Sequence, residues 1–325
     1  MQLPTYDDVR SASDQLTGHA VRTPLLESTE LNARTGGRVL LKPEMLQRTG
    51  SFKFRGAYNR LSRLTAEERT KGVVAFSSGN HAQGVALAAR LLGMEATIVM
   101  PTDAPQVKVE GVRRYGGKIV TYDREADDRE AIAGELVGDS GATLVPAFDD
   151  PFVMAGQGTC GLEIAQDCEA RDIVPEVILC AAGGGGLIAG VGLAIRHHFS
   201  GAEIWAVEPE GFDDYRRSLA AGERLSNDRL SGSIQDSIMT PAPGRLTFAV
   251  NQQHLAGGVT VSDDETLDAI AFAFTHLKLV GEPGGISSLA ALLAGKIDLD
   301  GRTCVAVLTG GNVDPAIFKR ALERL

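Results

Sequence analysis

Cysteine is scarce in this chain of 325 residues: Cys160, Cys168, Cys180 and Cys304 are scattered, and no C-x-x-C pair occurs. That spacing argues against a disulfide framework or a cysteine zinc site and fits a reducing, cytoplasmic setting. Positive charge is also short. Lys and Arg number 32 against 42 Asp and Glu, a formal net charge of −10, so nucleic acid or an anionic membrane is not expected as the main partner. A small anionic substrate is untouched by this, because local charge decides its binding. No G-x-x-x-x-G-K-[ST] segment is present for a P-loop NTPase, and no G-x-S-x-G elbow for a serine hydrolase. His19, His197, His198, His254 and His276 show no metal-ligand spacing and receive no role. The opening MQLPTYDDVRSASDQL has no basic-then-apolar leader, so no signal peptide is expected. What remains is a chain 43% hydrophobic and 23% charged, ordinary for a globular protein with length for about two domains.

One long uncharged run does occur. VILCAAGGGGLIAGVGLAI, residues 177–195, is long enough to span a membrane. Four consecutive glycines in its middle make a poor helix. The run instead predicts a buried strand at 177–181, a glycine turn and a buried helix.

The rest of the chain alternates. VVAF (73–76), ATIVM (96–100), KIVTY (118–122) and ATLVP (142–146) read as short strands. HAQGVALAARLLG, APQVKVEGVRRYG and DREAIAGELVG lie between them as helices closed by glycine. Further strands are expected at 176–181, 203–207 and 303–308, and helices at 154–168, 187–199, 264–278 and 284–295. Strands alternating with helices predict parallel pairing and an α/β fold. Residues 226–245 form the longest stretch without periodicity, as a functional loop or a surface excursion does.

Three stretches carry chemistry. AAGGGGLIAG follows a strand and opens a helix, where bare backbone and free N–H groups suit a phosphate. It also contains a G-x-G-x-x-A match from Gly184 to Ala189, and Glu208 ends the next strand where a ribose-binding acid would stand. A nicotinamide dehydrogenase therefore competes at this point. FSSGNHAQG (76–84) is a second strand-to-helix loop whose size suits a carboxylate, with a simple helix cap by Ser78 or Asn80 as the alternative. The third is Lys53, between Phe52 and Phe54 in RTGSFKFRGA. Either its stem packs on a phenylalanine while its head reaches water, or burial lowers its pKa and makes it a nucleophile toward an aldehyde. An amine, a phosphate cradle and a carboxylate cradle together are what pyridoxal phosphate requires.

TGSFKFRGA, SSGNHAQG, AGQGT (155–159), GGGGLIAG, VEPEGFDD (207–214), EPGG (282–285) and LTGGNVD (308–314) occur in one order along nearly the whole chain. In them the sequence resembles the serine/threonine dehydratase and serine racemase family of pyridoxal-phosphate enzymes, of the tryptophan-synthase-β-like fold. The resemblance implies fold type II: two open, twisted α/β domains with mostly parallel sheets and the cofactor in the cleft between them. Residues 1–64 and 148–325 would form the large domain, and 65–147 a small inserted one.

It further implies that Lys53 carries the cofactor as a Schiff base, with Phe52 against its ring and Asn80 on the ring hydroxyl. Gly183, Gly184, Gly185, Gly186 and Leu187 would hold the phosphate. Thr309 would stand at the pyridine nitrogen and leave it unprotonated, a moderate electron sink that favours expelling a β-hydroxyl. Ser77, Ser78, Gly79, Asn80 and His81 would bind the substrate carboxylate. Lys53 would take the Cα proton, and loss of water would end in a 2-oxo acid and ammonia. Glu208, Asp214 and the Phe212 carbonyl would form a site for Mg²⁺, Ca²⁺ or Mn²⁺; the plainer alternative is that Asp213 and Asp214 cap the next helix. Arg129 corresponds to a substrate-proximal arginine of racemases.

Two departures bear on the substrate. Ser78 stands where many dehydratases have alanine and racemases have serine, which keeps racemisation open. SGSIQDS (231–237) replaces a usual Ala-Asp-Gly segment, with Gly232 in place of its aspartate, which opens the way to 3-hydroxyaspartate or phenylserine. The chain stops soon after TGGNVD, so no regulatory domain and no inhibition by isoleucine are expected. The reading is an L-threonine/L-serine ammonia-lyase acting on a small amino acid, a homodimer or homotetramer, with racemisation or another β-hydroxy amino acid as the alternative.

Overall fold

The computed structural model describes residues 2–77, 79–104, 106–123, 126–229 and 231–325. Two sheets organise the chain. The larger comprises β1 (Leu26–Glu27), β2 (Arg38–Pro43), β7 (Val177–Ala181), β8 (Glu203–Pro209), β9 (Gly257–Val261) and β10 (Thr303–Leu308). Their order is β1-β2-β10-β7-β8-β9, parallel throughout except for the β1–β2 pair. The smaller sheet takes its four strands from one stretch: β3 (Val73–Phe76), β4 (Ala96–Pro101), β5 (Lys118–Tyr122) and β6 (Thr143–Leu144), all parallel in the order β5-β4-β3-β6. The α/β class and the mostly parallel pairing are as the sequence predicts.

Central parallel strands are covered on both faces, so their sequences are apolar without alternation. Every residue of VILCA in β7 is buried, as is nearly all of TCVAVL in β10. Behind β7 the helices Pro151–Glu169 and Gly186–His198 lie against each other. Their approach depends on AGQGT: a Cβ on Gly190 would overlap the backbone of Met154 and Gly158. The AGQGT glycines therefore serve helix packing.

Some boundaries differ from the expectation. The helix read as ending at Gly138 runs from Arg129 to Ser140, and the left-handed cap is Gly141. The helix expected over 264–278 is α-helical only to Phe272, then widens into a π turn closed by Lys278 at φ 59°. β2 and β9 carry no sequence expectation, because RVLLKP holds a lysine and GGVTV two glycines. Among the described residues of 226–244 there is no regular element beyond the short turn Asp236–Ile238, and Arg245 opens the helix Arg245–His254. Among the described residues no helix is long and apolar enough to cross a membrane.

Candidate functional site

Lys53 opens the helix Lys53–Ser62. Its start is fixed from the side of β10: the Phe52 N–H donates to the Thr309 carbonyl at 3.1 Å, and Ser51 bridges Gly310. Lys53 is part-buried, and its Nζ donates to the Ala147 carbonyl at 2.9 Å, 5.1 Å from the centre of the Phe52 ring. Desolvation pulls its pKa down to about 8, against an upward pull from the Glu282 carboxylate. An amine in that range is partly neutral at physiological pH, and the neutral form is the nucleophile.

The glycine run sits at the carboxyl end of β7. Gly185 has φ +87°, and a Cβ there would collide with the Tyr215 hydroxyl; one on Gly184 would enter the Phe148 ring. The loop carbonyls are held from behind. Tyr215 Oη donates to Thr247 Oγ1 at 2.9 Å, Thr247 Oγ1 donates to the Gly184 carbonyl at 2.6 Å, and Asn251 Nδ2 donates to the Gly185 carbonyl at 3.2 Å. With its carbonyls so engaged, the loop leaves the N–H groups of Gly183 to Leu187 without a protein acceptor among the described residues. Successive free N–H groups at a helix start make a nest for an anion. The amine and the nest meet through one dipeptide: the Ala147 carbonyl accepts the Lys53 hydrogen bond, and Phe148 covers Gly184 and Gly186.

The second cradle follows β3. Ser77 donates its N–H to Val99 and accepts from the Gly79 N–H at 3.2 Å. Ser78, on which the racemase expectation rests, lies outside the described residues. Gly79 is the cap position of the helix Asn80–Leu91 and makes no side-chain cap bond, so Asn80 is not the cap. Asn80 instead donates to Glu282 Oε1 at 2.5 Å and accepts from Asn312 Nδ2 at 2.7 Å. Burial raises the Glu282 pKa to about 7. His81 is buried, its ring nitrogen Nε2 lies 2.9 Å from the Val145 carbonyl, and burial together with Lys53 lowers its pKa to about 3.

Glu208 is buried, and its two oxygens accept from the N–H groups of Tyr215 and Arg216 at 2.7 and 2.8 Å. It therefore caps the helix Asp214–Ala221 and is not presented to a ribose. Asp213 makes no side-chain cap bond and pairs with Arg216 and Arg217. Asp214 accepts from Asn227 at 2.7 Å with one oxygen, while Oδ2 is buried without a partner among the described residues. Burial and the nearby Asp214 carboxylate push Glu208 well above the carboxylate range, and burial raises Asp214 to about 7. Two such acids with an orphan oxygen fit a hard cation. Among the described residues no cluster of three His, Cys, Asp or Glu side chains is gathered for a metal; the expected set has two carboxylates and the carbonyl of the buried Phe212.

Arg129 lies with its guanidinium 5.4 Å from the Phe76 ring centre, next to Ser77. Gly232 is exposed at φ +119°, while the neighbouring turn Asp236–Ile238 packs on Gly183 and Gly284, and Asp236 pairs with Lys108 at 2.5 Å.

Several parts carried no sequence signal. Ala147 acts through its carbonyl, and Phe148, Tyr215, Thr247 and Asn251 meet the glycine loop only after long chain excursions. Lys42, Glu44, Arg55 and Glu163 form an ionic cluster behind Lys53, with Arg55 reaching Glu44 and Glu163 both at 2.7 Å and Lys42 reaching Glu163 at 2.6 Å. Its one trace is charge inside apolar sequence, as in RVLLKPEML.

The family described as pyridoxal-phosphate dependent enzyme matches residues 16–310. The chain is 46% identical to an L-threo-3-hydroxyaspartate ammonia-lyase of Pseudomonas sp, covering 97% of each chain. It is 41% identical to a serine racemase of Schizosaccharomyces pombe, over 96% of this chain and 95% of that one. Among solved structures, a maize serine racemase superposes with a TM-score of 0.92 at 34% identity, over 99% of this chain and 98% of that one.

Proposed function

The chain belongs to the pyridoxal-phosphate-dependent enzyme family, and from that premise we propose that it is an ammonia-lyase removing water and ammonia from L-threonine or L-serine to give a 2-oxo acid. One observation carries the reading: a desolvated amine and an open N–H nest lie side by side, joined by Ala147 and Phe148. The residues fit the cofactor, because the nest offers only donors and desolvation brings the Lys53 pKa down to about 8, leaving a neutral fraction of the amine near physiological pH. When bound, pyridoxal phosphate supplies an aldehyde that captures amines and a conjugated ring that accepts the electrons left at Cα.

The chain's own groups then divide the work. The N–H groups of Gly183 to Leu187 would hold the phosphate, and the Ser77–His81 loop the substrate carboxylate, at the start of a helix whose dipole favours an anion. Phe52 would lie against the ring and Asn80 at its hydroxyl. The Thr309 hydroxyl, beside the pyridine nitrogen, would leave that nitrogen uncharged. Lys53, freed by the incoming amine, would take the Cα proton, which its pKa of about 8 allows. Ser78 would hold a proton on the opposite face. Glu208, Asp214 and the Phe212 carbonyl would hold a divalent cation and, through Tyr215, steady the nest.

The same reading places the cofactor in a cleft between a small domain, 65–147, and the remainder. It also takes the working protein to be a cytoplasmic homodimer or homotetramer. Four unpaired cysteines support the compartment. A second substrate, 3-hydroxyaspartate, is favoured by the relative at 46% identity.

The test is to purify the protein, record its visible spectrum, and assay 2-oxo acid, ammonia and D-isomer from L-serine, L-threonine and both 3-hydroxyaspartates. The expected result is an absorbance band of the bound cofactor and 2-oxo acid release, both abolished by Lys53→Ala. Inversion without ammonia release would make the protein a racemase instead.

A further inference from the structure

The peptide between Gly184 and Gly185 lies just before the helix Gly186–His198, so no bond of that helix fixes it. Its carbonyl accepts from Thr247 Oγ1 at 2.6 Å and, at greater length, from the Gly244 N–H at 3.3 Å. A planar trans peptide holds its N–H opposite its carbonyl. A carbonyl drawn toward Thr247 therefore turns the Gly185 N–H the other way, into the nest. Glycine stands on both sides of this peptide, and Gly185 is at φ +87°, so no Cβ opposes turning the plane over. Turned over, it would offer an anion a carbonyl oxygen in place of a donor. The next carbonyl, of Gly185, already has a helical partner in the Ala189 N–H at 3.0 Å.

The hydrogens behind the loop run one way. The Gly184 carbonyl can only accept, so the single Thr247 hydroxyl hydrogen is spent on it. Tyr215 Oη then donates to Thr247 Oγ1 at 2.9 Å, and Asn251 Nδ2 donates to Tyr215 Oη at 3.1 Å. Bonds chained in one direction strengthen each other. Thr247 is fully buried and placed by its backbone. It lies in the first turn of the helix Arg245–His254, and the N–H groups of Arg245, Leu246 and Thr247 all donate to Asp149. Asp149 follows Phe148, which covers Gly184 and Gly186.

We propose that Thr247 is a positioning residue for the cofactor phosphate: its hydroxyl locks the Gly184–Gly185 peptide with the Gly185 N–H toward the anion. It acts through the loop and not by contact with the ligand. This rests on the reading of the nest as the phosphate site of pyridoxal phosphate.

Two substitutions isolate the hydroxyl. Thr247→Val keeps the shape and removes it; Thr247→Ser keeps it. Each full-length variant, freed of cofactor, is titrated by absorbance with pyridoxal phosphate and with pyridoxal, which lacks only the phosphate. The ratio of the two dissociation constants reports the phosphate contribution, because a change in stability or at Lys53 acts on both aldehydes and cancels. Misdirecting one hydrogen bond to a charged group should lower the preference for pyridoxal phosphate roughly tenfold in Thr247→Val, while Thr247→Ser keeps most of it. A wild-type ratio in Thr247→Val, or an equal fall in Thr247→Ser, overturns the role of the hydroxyl. A wild type that binds pyridoxal as tightly as pyridoxal phosphate overturns the phosphate reading of the nest, and this inference with it.

Discussion

Two buried polar regions of this molecule lie back to back, and they differ in completeness. Behind the Lys53 helix, Lys42, Glu44, Arg55 and Glu163 bring two cations and two anions together. Arg55 alone bonds both carboxylates and Thr159, and Thr23 closes the set through Glu44 and Lys42. In front of that helix, the nest N–H groups, His81 Nδ1 and, further off, Asp214 Oδ2 have no protein partner among the described residues. The finished region is architecture. The unfinished one, with its run of free N–H groups, is where an anionic ligand would complete the hydrogen bonding.

Breaking the finished region should have the largest effect. Arg55→Met leaves two buried carboxylates facing each other beside a single lysine. A loss of about 3–5 kcal/mol of stability is expected, measured by urea unfolding, and it should be similar with and without cofactor. Disturbing the unfinished region should instead show chiefly when ligand is present. Gly185→Ala forces a side chain into φ +87° and into Tyr215. The backbone term alone is about 1–2 kcal/mol, and cofactor affinity, titrated by absorbance, should fall further than stability does.

The smallest effect concerns the acid pair. The folded-state pKa of Asp214 is raised to about 7. A raised carboxyl contributes its stability below the unfolded value, near 4, and loses it as pH climbs through about 7. Mg²⁺ should therefore raise Tm by a few degrees at pH 8 and scarcely at pH 5. Equal shifts at both pH values would show that this pair is not where the cation acts.

The same contrast explains what could be read from the sequence. Strand positions followed from apolar runs such as VILCA, and the glycine loop and Lys53 stood out because four glycines and a lysine between phenylalanines fit poorly elsewhere. What lay hidden is what acts at a distance along the chain. The donors that turn the glycine loop outward sit at Tyr215, Thr247 and Asn251, and Lys53 is met by a carbonyl, which every residue has. Glu208 allowed two readings, a ribose contact and a cation ligand; its oxygens meet a helix start seven residues on, which sets aside the first. β9 was missed because GGVTV gains its strand only by pairing with β8.

The Lys53 amine is desolvated close to an anion nest, whereas the buried Lys42 is held in an ion pair with Glu163. The most direct test is to reconstitute the protein with pyridoxal phosphate near pH 7.5, reduce with borohydride and map the pyridoxyl label by peptide mass spectrometry. One label per chain, on Lys53, is expected. Label spread over exposed residues such as Lys71 or Lys118, with Lys53 unmodified, would contradict it.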